Sequence, residues 1–455
     1  MDGLKKELIE KLLCRGKVFE IGGSVRDSLL GMAVAAADRD YLVTGIPIDD
    51  LVSVLRQHGK VDLVGRAFGV IKFSHHDNGS GPYPQNDISL PRREFSTGSG
   101  HRDFHIDFDH TLPIEEDLQR RDFTINAIAR DLSNGRIVDP LGGSGDVANR
   151  VLRVIGHDSF RDDPLRDLRG VQFVARFGLS VDPATLAAMT ECAPMIRTVT
   201  AERIGLELTK LLTKSAKPSV GLRLMHEIGL MKEVMPELDQ GAGVTQPGGY
   251  HAYDVLEHSL HTVDAIRPDL RMRWAALLHD ITKPKCRNEV EGGVTFYGHE
   301  KSGAKTAKNI LIRLRYPNQL IDDVTTLIDQ HMFAIPPTDK GMRRLVRRAS
   351  TELIFDLLDL RRADVVGQGM GNKTDDVDEF ERRIREELNR KPPFSVNDLE
   401  IDGNDIMELF QIPESPLIGM ALDHLLELVL DDPERNRRDI LIEATKEFLN
   451  SEESK

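Results

Sequence analysis

An α+β fold is predicted by this sequence, with the strands confined to the first part of the chain and helices thereafter. Two patterns carry the prediction. Within residues 16–140, short runs rich in β-branched and aromatic residues alternate with turn formers, at residues 18–21, 41–43, 61–64, 68–73 and 87–90, which specifies a small mixed sheet with accompanying helices. From about residue 150 the apolar positions recur at helical spacing, in LRDLRGVQFVARFGL and again in AERIGLELTKLLT. The opening MDGLKKELIEKLLCRGK reads as an amphipathic helix, and residues 75–86, rich in Gly, Pro and Asn, read as a loop.

A chain of 455 residues is too long for one core. Its breaks suggest four domains: a head over 1–150, a helical neck over 151–240, a helical unit over 250–370 and a helical tail over 375–455. Gly-rich residues 241–249 supply the main linker, and the double proline within 391–395 precedes the compact part of the tail. A hydrophobic content of 40% and a charged content of 29% are globular values, and no run of about twenty apolar residues offers a membrane span. The N-terminus lacks the apolar core of a secretory signal, so a soluble, cytoplasmic protein without a membrane partner is expected. Cys14, Cys192 and Cys286 are too dispersed for a disulfide framework or a zinc ribbon. With 60 Lys and Arg against 74 Asp and Glu, the net charge of −14 argues against a protein that coats nucleic acid indiscriminately. A local basic groove remains compatible with it, and Arg343, Arg344, Arg347 and Arg348 cluster.

In VFEIGGSVRDSLLG an apolar strand runs into Gly22 and Gly23, then Ser24 as the expected N-cap, then a helix bearing Arg26 and Asp27. Glycines let the backbone approach a phosphate, and a helix N-terminus aims unpaired N–H groups at it, although the same junction also serves as a plain turn. Asp38 and Asp40 follow at the entrance to the apolar run YLV, and in a strand that spacing puts both carboxylates on one face. Adjacent carboxylates repel unless a cation lies between them. Oxygen ligands suit Mg²⁺, which keeps water and binds one or two carboxylates together with substrate phosphates; a solvated turn is the alternative. Asp87, on another β-rich run, is available as a third carboxylate. A dinucleotide site fits poorly, because the third glycine of its fingerprint is missing and one ribose-binding acid would not explain two. RRDFTINAIA reads as a helix on which Asp122 and Asn126 share a face suited to ribose hydroxyls, with Arg120 and Arg121 toward a triphosphate.

Taken in order, GGSVRD, DRD, RRDFTINA, DPLGG and DDPLRDLR resemble the successive signatures of the CCA-adding tRNA nucleotidyltransferases and their poly(A) polymerase relatives, over roughly residues 1–215. The resemblance implies a head of the polymerase-β type, with Gly22, Gly23 and Arg26 near the triphosphate and Asp38 and Asp40 as the catalytic, Mg²⁺-binding pair. It implies Arg121, Asp122 and Asn126 at the ribose and phosphates, and residues 139–143 joining head to neck. It also implies extension of a tRNA 3′ end from CTP and ATP without a template, the RNA 3′ hydroxyl attacking the α-phosphate and pyrophosphate leaving.

Base choice offers a physical check. Cytosine and adenine each present an exocyclic amine beside a ring-nitrogen acceptor, whereas uracil and guanine present a carbonyl beside a ring N–H. A carboxylate, which only accepts, next to a guanidinium, which only donates, matches the first pair. In DDPLRDLR, Asp163 and Arg166 stand three apart on a predicted helix, with Arg169 one turn further. The resemblance makes these the nucleotide-reading residues, although the usual Glu is here Asp162. An ordinary intrahelical ion pair has the same spacing.

LEHSLHTV, LLHDITK, YGHEKSG and IDQHMF place His258, His279, Asp280, His299 and His331 on helical segments, and Asp364 follows in RRADVVG. Imidazoles and carboxylates arriving from separate helices suit a metal. Over about residues 250–370 the pattern resembles the HD phosphohydrolase superfamily, which implies a metal-dependent phosphatase or 2′,3′-cyclic phosphodiesterase using Ni²⁺, Co²⁺ or Mn²⁺; metal binding without hydrolysis is the alternative. The tail resembles the C-terminal helical region of the CCA-adding enzymes and is expected to hold the tRNA. No motif names a protein partner.

Three readings compete: CCA addition, with its CC-only, A-only and poly(A) variants; a hydrolase whose N-terminal half senses nucleotides; and a non-catalytic RNA-binding protein. LVGRAFGVIKF and the acidic balance favour the CCA branch over poly(A) polymerases. Two separate acidic metal sites have little use in the third reading.

Overall fold

The computed structural model describes residues 3–64, 70–76, 85–96, 104–156, 158–249, 251–291, 293–336, 338–371, 373–390 and 392–453. They form two compact units, Met1–Pro236 and Glu237–Lys455. Parts of two expected segments, residues 65–69 in the fourth strand run and 77–84 in the first loop, lie outside the described residues.

The first unit opens with α1 (Lys6–Leu13), β1 (Lys17–Ile21), α2 (Gly23–Leu29), β2 (Asp40–Thr44), α3 (Ile48–Arg56), β3 (Gly59–Val64), β4 (Val70–His75) and β5 (Asn86–Ser89). It continues through β6 (Arg92–Ser96), β7 (Phe104–Phe108), α4 (Ile114–Gln119), β8 (Ala129–Asp131), β9 (Ile137–Val138) and α5 (Gly143–Asn149). Seven strands make one sheet in the order β3-β4-β5-β2-β1-β8-β9, while β6 and β7 pair separately. Only the β2–β5 pairing in that sheet is parallel. The mixed sheet and its first five strands lie where the sequence predicts, whereas β8 and β9 are additions, β8 beginning where a helix was expected.

Side-chain alternation sorts the two faces. Val18, Tyr41, Val43, Ile71, Phe73 and Ile88 pack with Leu8 and Leu12 of α1 and with Leu51 and Leu55 of α3. Phe19, Ile21 and Leu42 pack on the other side with Ile114 and Leu118 of α4. Each such buried side chain contributes about 1.5–3 kcal/mol. A one-residue slip would turn every strand side chain to the wrong face, so burial fixes the register.

The same unit then becomes helical: β10 (Val151–Leu152), α6 (Ser159–Asp162), α7 (Leu165–Phe177), β11 (Ser180–Val181), α8 (Pro183–Cys192), α9 (Ala201–Lys214), α10 (Pro218–Glu227) and α11 (Leu230–Val234). Helix α7 ends at Gly178 in the left-handed region (φ 63°), and α8 starts at Asp182, whose carboxylate accepts from Thr185 N.

Beyond α12 (Pro236–Asp239), the second unit comprises α13 (Val255–Ala265), α14 (Leu270–Leu278), α15 (Lys283–Cys286), the hairpin β12 (Asn288–Val290) and β13 (Gly293–Thr295), α16 (His299–Arg313) and α17 (Asn318–Gln330). There follow α18 (Asp339–Ala349), α19 (Ile354–Gly367), α20 (Asp375–Asn389), α21 (Gly403–Phe410), α22 (Pro416–Asp431) and α23 (Arg438–Glu453). Asp254 and Asp269 cap α13 and α14 by accepting from Glu257 N and Met272 N. Leu260, Trp274, Leu277, Ile328 and Leu357 are fully buried between these helices. The arginine cluster faces other partners than a polyanion: Arg343 pairs with Glu387, Arg344 with Glu427 and Asp431, Arg347 with Glu427 and Asp423, and Arg348 donates to Gln330. Among the described residues no helix is long and apolar enough to cross a membrane. The three cysteines are free.

Candidate active site and metal centre

The first site lies where β1, β2 and β5 end. Ile21 opposes Asp40 across the antiparallel β1–β2 pair, and Asp40 pairs with Asp87 across the parallel β2–β5 pair. Residues opposed in this way share a face, so the two carboxylates stand together beside the Gly22–Gly23 turn. Asp40 is exposed, and Asp87 Oδ1 lies 3.3 Å from Lys72 Nζ. The third carboxylate expected from the sequence is thus a cross-strand neighbour of Asp40.

Asp38 is arranged differently from the expectation. It closes a 3₁₀ turn (Ala36–Asp38), and the strand begins only at Asp40, so strand alternation does not align the two aspartates. Asn86 Nδ2 donates to Ala36 O (2.6 Å) and Arg39 O (3.1 Å), which draws this segment out of the ladder. The side chain of Asp38 lies outside the described residues.

Gly22, with φ 72°, is the N-cap of α2, and Ser24 sits inside the helix with Oγ donating to Ile21 O at 3.4 Å. The expected Ser24 cap is therefore replaced by a glycine. The positive φ requires it, and a Cβ there would come within 2.9 Å of Arg121 Nη1. Arg26 is buried, its guanidinium 4.3 Å from the Phe177 ring centroid and 5.1 Å from that of Phe173. It pairs with Asp27 at 2.6 Å and donates to Asn126 Oδ1 at 2.5 Å. Burial lowers its pKa against the pull of Asp27.

Residues 120–129 do not form the expected helix. Phe123 is extended and bridges to Val154, and only Thr124–Asn126 turn, in a 3₁₀ conformation. The turn nevertheless brings Asp122 and Asn126 together: Asp122 Oδ1 accepts from Asn126 Nδ2 (2.9 Å) and Phe123 N (2.8 Å), while Arg169 Nε lies 3.0 Å from Oδ2. Burial opposes charge on Asp122, but Arg169 and these hydrogen bonds outweigh it and lower its pKa. Buried Asp117 pairs with both Arg120 (2.6 Å) and Arg121 (3.2 Å).

Asp163 and Arg166 are not partners on one helix. Asp163 is extended (φ −140°, ψ 96°) between α6 and α7, because Pro164 disfavours helical geometry in the residue before it. Its carboxylate pairs with Arg203 Nη2 of α9 (2.9 and 3.3 Å), whereas Arg166 donates to Ser159 Oγ (2.5 Å) and Arg120 O (3.2 Å). Arg203 was not among the residues the sequence singles out; in AERIGLEL it reads as an ordinary helix charge.

In the second unit His258 on α13, His279 and Asp280 at the end of α14, His299 opening α16, His331 closing α17 and Asp364 on α19 converge, all buried. The Nδ1 atoms of His279, His299 and His331 lie 2.9, 2.7 and 2.7 Å from the carbonyls of Ala276, Phe296 and Ile328. A carbonyl only accepts, so each Nδ1 carries a hydrogen and each Nε2 faces the centre, where the neutral ring would offer its lone pair to a metal. Burial works against charge on His279, yet Asp280 and Asp364 raise its pKa to about 10; burial and the neighbouring His279 hold His331 down to about 3.

Comparison with known proteins identifies the family. "Poly A polymerase head domain" matches residues 18–153, "Probable RNA and SrmB- binding site of polymerase A" matches 178–241, and "HD domain" matches 249–366. The A-adding tRNA nucleotidyltransferase of Deinococcus radiodurans is 36% identical over 332 residues, covering 69% of this chain and 75% of its own length. A multifunctional CCA protein of Actinobacillus pleuropneumoniae is 35% identical over 329 residues, covering 69% and 75%. Among solved structures, the CCA-adding enzyme of Bacillus stearothermophilus in complex with CTP shares the fold with a TM-score of 0.70 at 23% identity, over 99% of this chain and 98% of that one. The CCA-adding enzyme of Thermotoga maritima complexed with tRNA does so with a TM-score of 0.56 at 20% identity, over 98% and 96%. By sequence and by fold, this chain belongs to the family of poly(A) polymerase-like tRNA nucleotidyltransferases that includes the CCA-adding and A-adding proteins.

Proposed function

We propose that this protein adds the 3′-terminal C and A residues of tRNA from CTP and ATP, without a template, through a head over 1–150 and a neck over 151–240. The pairing of Asp40 with Asp87 beside the Gly22–Gly23 turn is the observation that carries the reading. Two neighbouring carboxylates at an exposed sheet end are the hard oxygen donors that suit Mg²⁺, and such a site leaves coordination positions for substrate phosphates. Asp40 and Asp87, with Asp38 added by the family resemblance, would hold the ion, which would activate the RNA 3′ hydroxyl and offset charge on the triphosphate.

The remaining residues bind and orient. Gly22 and Gly23 let the triphosphate approach the backbone, and Arg26 and Arg121 supply positive charge beside it. The Asp122–Asn126 pair accepts and donates at the ribose, with Arg169 fixing Asp122. Asp163 accepts from the exocyclic amine of C or A and repels the carbonyl of U or G, while Arg166 donates to the ring nitrogen.

For residues 250–370 the proposal is a metal-dependent phosphohydrolase that takes phosphomonoesters or 2′,3′-cyclic phosphates and uses Ni²⁺, Co²⁺ or Mn²⁺. The tail over 375–455 holds the tRNA, and the protein works in the cytoplasm. Three Nδ1–carbonyl contacts, which leave the Nε2 atoms of His279, His299 and His331 facing the centre of a buried cluster of four imidazoles, support the metal. Hydrolysis of 2′,3′-cyclic AMP with each ion tests it; no turnover with any of them leaves a structural role.

The decisive experiment supplies tRNA lacking none, one, two or three terminal nucleotides with CTP and ATP, separately and together, and sequences the products. Completion of CCA from the shortest substrate is the expected result. Addition of A alone, to tRNA already ending in CC, would instead favour the activity named for the Deinococcus relative, which is 36% identical.

A further inference from the structure

We infer that Phe173 and Phe177 of α7 are positioning residues for the sugar of the incoming nucleotide: their rings clamp the Arg26 guanidinium, which in turn fixes the amide of Asn126. The inference rests on the assignment of Asp122 and Asn126 to the ribose under the proposed function, and it adds what sets their orientation. Arg166, Arg169, Phe173 and Phe177 follow one another at intervals of three and four residues, so they share one stripe of α7. That stripe meets both the Asp122–Asn126 turn and the start of α2. Arg169 pairs with Asp122 at 3.0 Å and lies 5.5 Å from the Phe173 ring centroid. The Arg26 guanidinium is 4.3 Å from the Phe177 centroid and 5.1 Å from that of Phe173, and the two rings are 5.7 Å apart. Arg176 approaches the Phe177 ring at 4.8 Å and lies 3.9 Å from Asp27.

Arg26, Phe173, Phe177 and Asn126 are all buried. An aromatic ring attracts a guanidinium through its quadrupole, and the attraction grows where water is excluded. The guanidinium is planar and presents its N–H groups as a fixed fork, so the place of its plane decides what each N–H can reach. With Nε and Nη2 on Asp27 Oδ1 at 2.8 and 2.6 Å, Nη1 donates to Asn126 Oδ1 at 2.5 Å. That contact occupies the accepting end of the amide and leaves Nδ2 to donate to Asp122 Oδ1 at 2.9 Å. A flipped amide would set its oxygen against the Asp122 carboxylate and its NH₂ against a guanidinium that cannot accept, so both bonds would be lost. Arg26 therefore decides which way Asn126 faces a ribose hydroxyl, and the two rings decide where Arg26 stands. Arg166, the proposed base reader, lies on the same stripe, so sugar and base recognition share one helix as their support.

The test measures kcat/KM of the full chain for CTP and for its 2′-deoxy and 3′-deoxy analogues, on tRNA lacking its CCA end. Phe173→Leu and Phe177→Leu should each lower the preference for CTP over one or both analogues about 10-fold. Phe177→Tyr, which keeps the ring face, should keep the preference. Arg26→Lys loses the fork and should lower the preference as well, and adding Phe177→Leu to it should cost little more, because both changes act through the same contact. Asn126→Ala, which removes the amide itself, is the reference. Circular dichroism verifies that each variant is folded, and either Leu variant alone suffices. An unchanged preference in a folded Leu variant, with Asn126→Ala lowering it, overturns the inference and leaves the ribose assignment standing. An equal loss in Phe177→Tyr and Phe177→Leu also overturns it, since packing rather than the ring face would then be at work. An unchanged preference in Asn126→Ala overturns both the inference and the ribose assignment.

Discussion

The two acidic centres of this chain are built on opposite plans. Asp40 sits exposed at the end of a strand, with Asp87 beside it and oxygen the donor atom on both. Asp280 is 1% exposed and ringed by imidazoles from separate helices. An open site with few fixed donors leaves room for water and a triphosphate, so the substrate completes the coordination. An enclosed site of nitrogen and oxygen donors supplies most of the shell from the protein. On the proposed reading, burial and donor type would separate a metal that arrives with its nucleotide from one that resides.

The strongest challenge to this contrast is Asp40→Ala. With the cross-strand carboxylate pair broken, nucleotide incorporation in a gel-based extension assay is expected to fall about 10³-fold or more, while filter binding of tRNA stays nearly unchanged. Retained incorporation would break the comparison at its open end. At the enclosed end, His258→Ala should lower 2′,3′-cyclic AMP hydrolysis about 100-fold or more, read by product release with Ni²⁺, Co²⁺ or Mn²⁺; equal hydrolysis would mean that the cluster does not hold the working metal.

Smaller effects sharpen the picture. Asp163→Ala should reduce the preference for CTP and ATP over UTP and GTP about 10-fold or more, measured as a ratio of kcat/KM values. Arg203→Ala should move the same ratio in the same direction by less, because it removes the partner of Asp163 and leaves its carboxylate. An unchanged ratio in Asp163→Ala would remove base reading from this residue.

A third carboxylate has neither plan. Asp167 on α7 is fully buried, and neither of its oxygens has a hydrogen-bond partner among the described residues. Burial raises its pKa from 3.8 to about 8. The folded protein therefore keeps a proton that the unfolded chain releases, so its share of stability is full below the unfolded pKa and declines as pH rises toward 8. Asp167→Leu should raise stability at pH 8 by about 1–3 kcal/mol and flatten the fall between pH 4 and 8 in thermal melts. A melting temperature that drops instead would mean that the carboxyl has a partner in solution.

Much of this site was legible along the chain. The strand runs, the Gly22–Gly23 turn and the helical spacing of the histidine segments all reflect local periodicity and backbone preference, which short windows of sequence carry. Besides the Ser24 cap, three expectations failed for non-local or conformational reasons. Asn86, distant in sequence, pulls residues 36–39 out of the strand. Phe123 bridges to Val154 and interrupts the helix expected over Asp122 and Asn126. Pro164 breaks the helix between Asp163 and Arg166, and this signal stood in the sequence beside the residues it separates.

The sequence by itself determined the fold class, the early strands followed by helices, and the six side chains that converge in the buried centre, because each rests on residue type and short-range spacing. Tertiary structure alone decided that Asp87 pairs with Asp40, that Arg203 answers Asp163, and that Arg343, Arg344 and Arg347 pair with acidic neighbours. Those outcomes depend on sheet register and helix packing, where the burial of distant apolar faces fixes which charged groups meet.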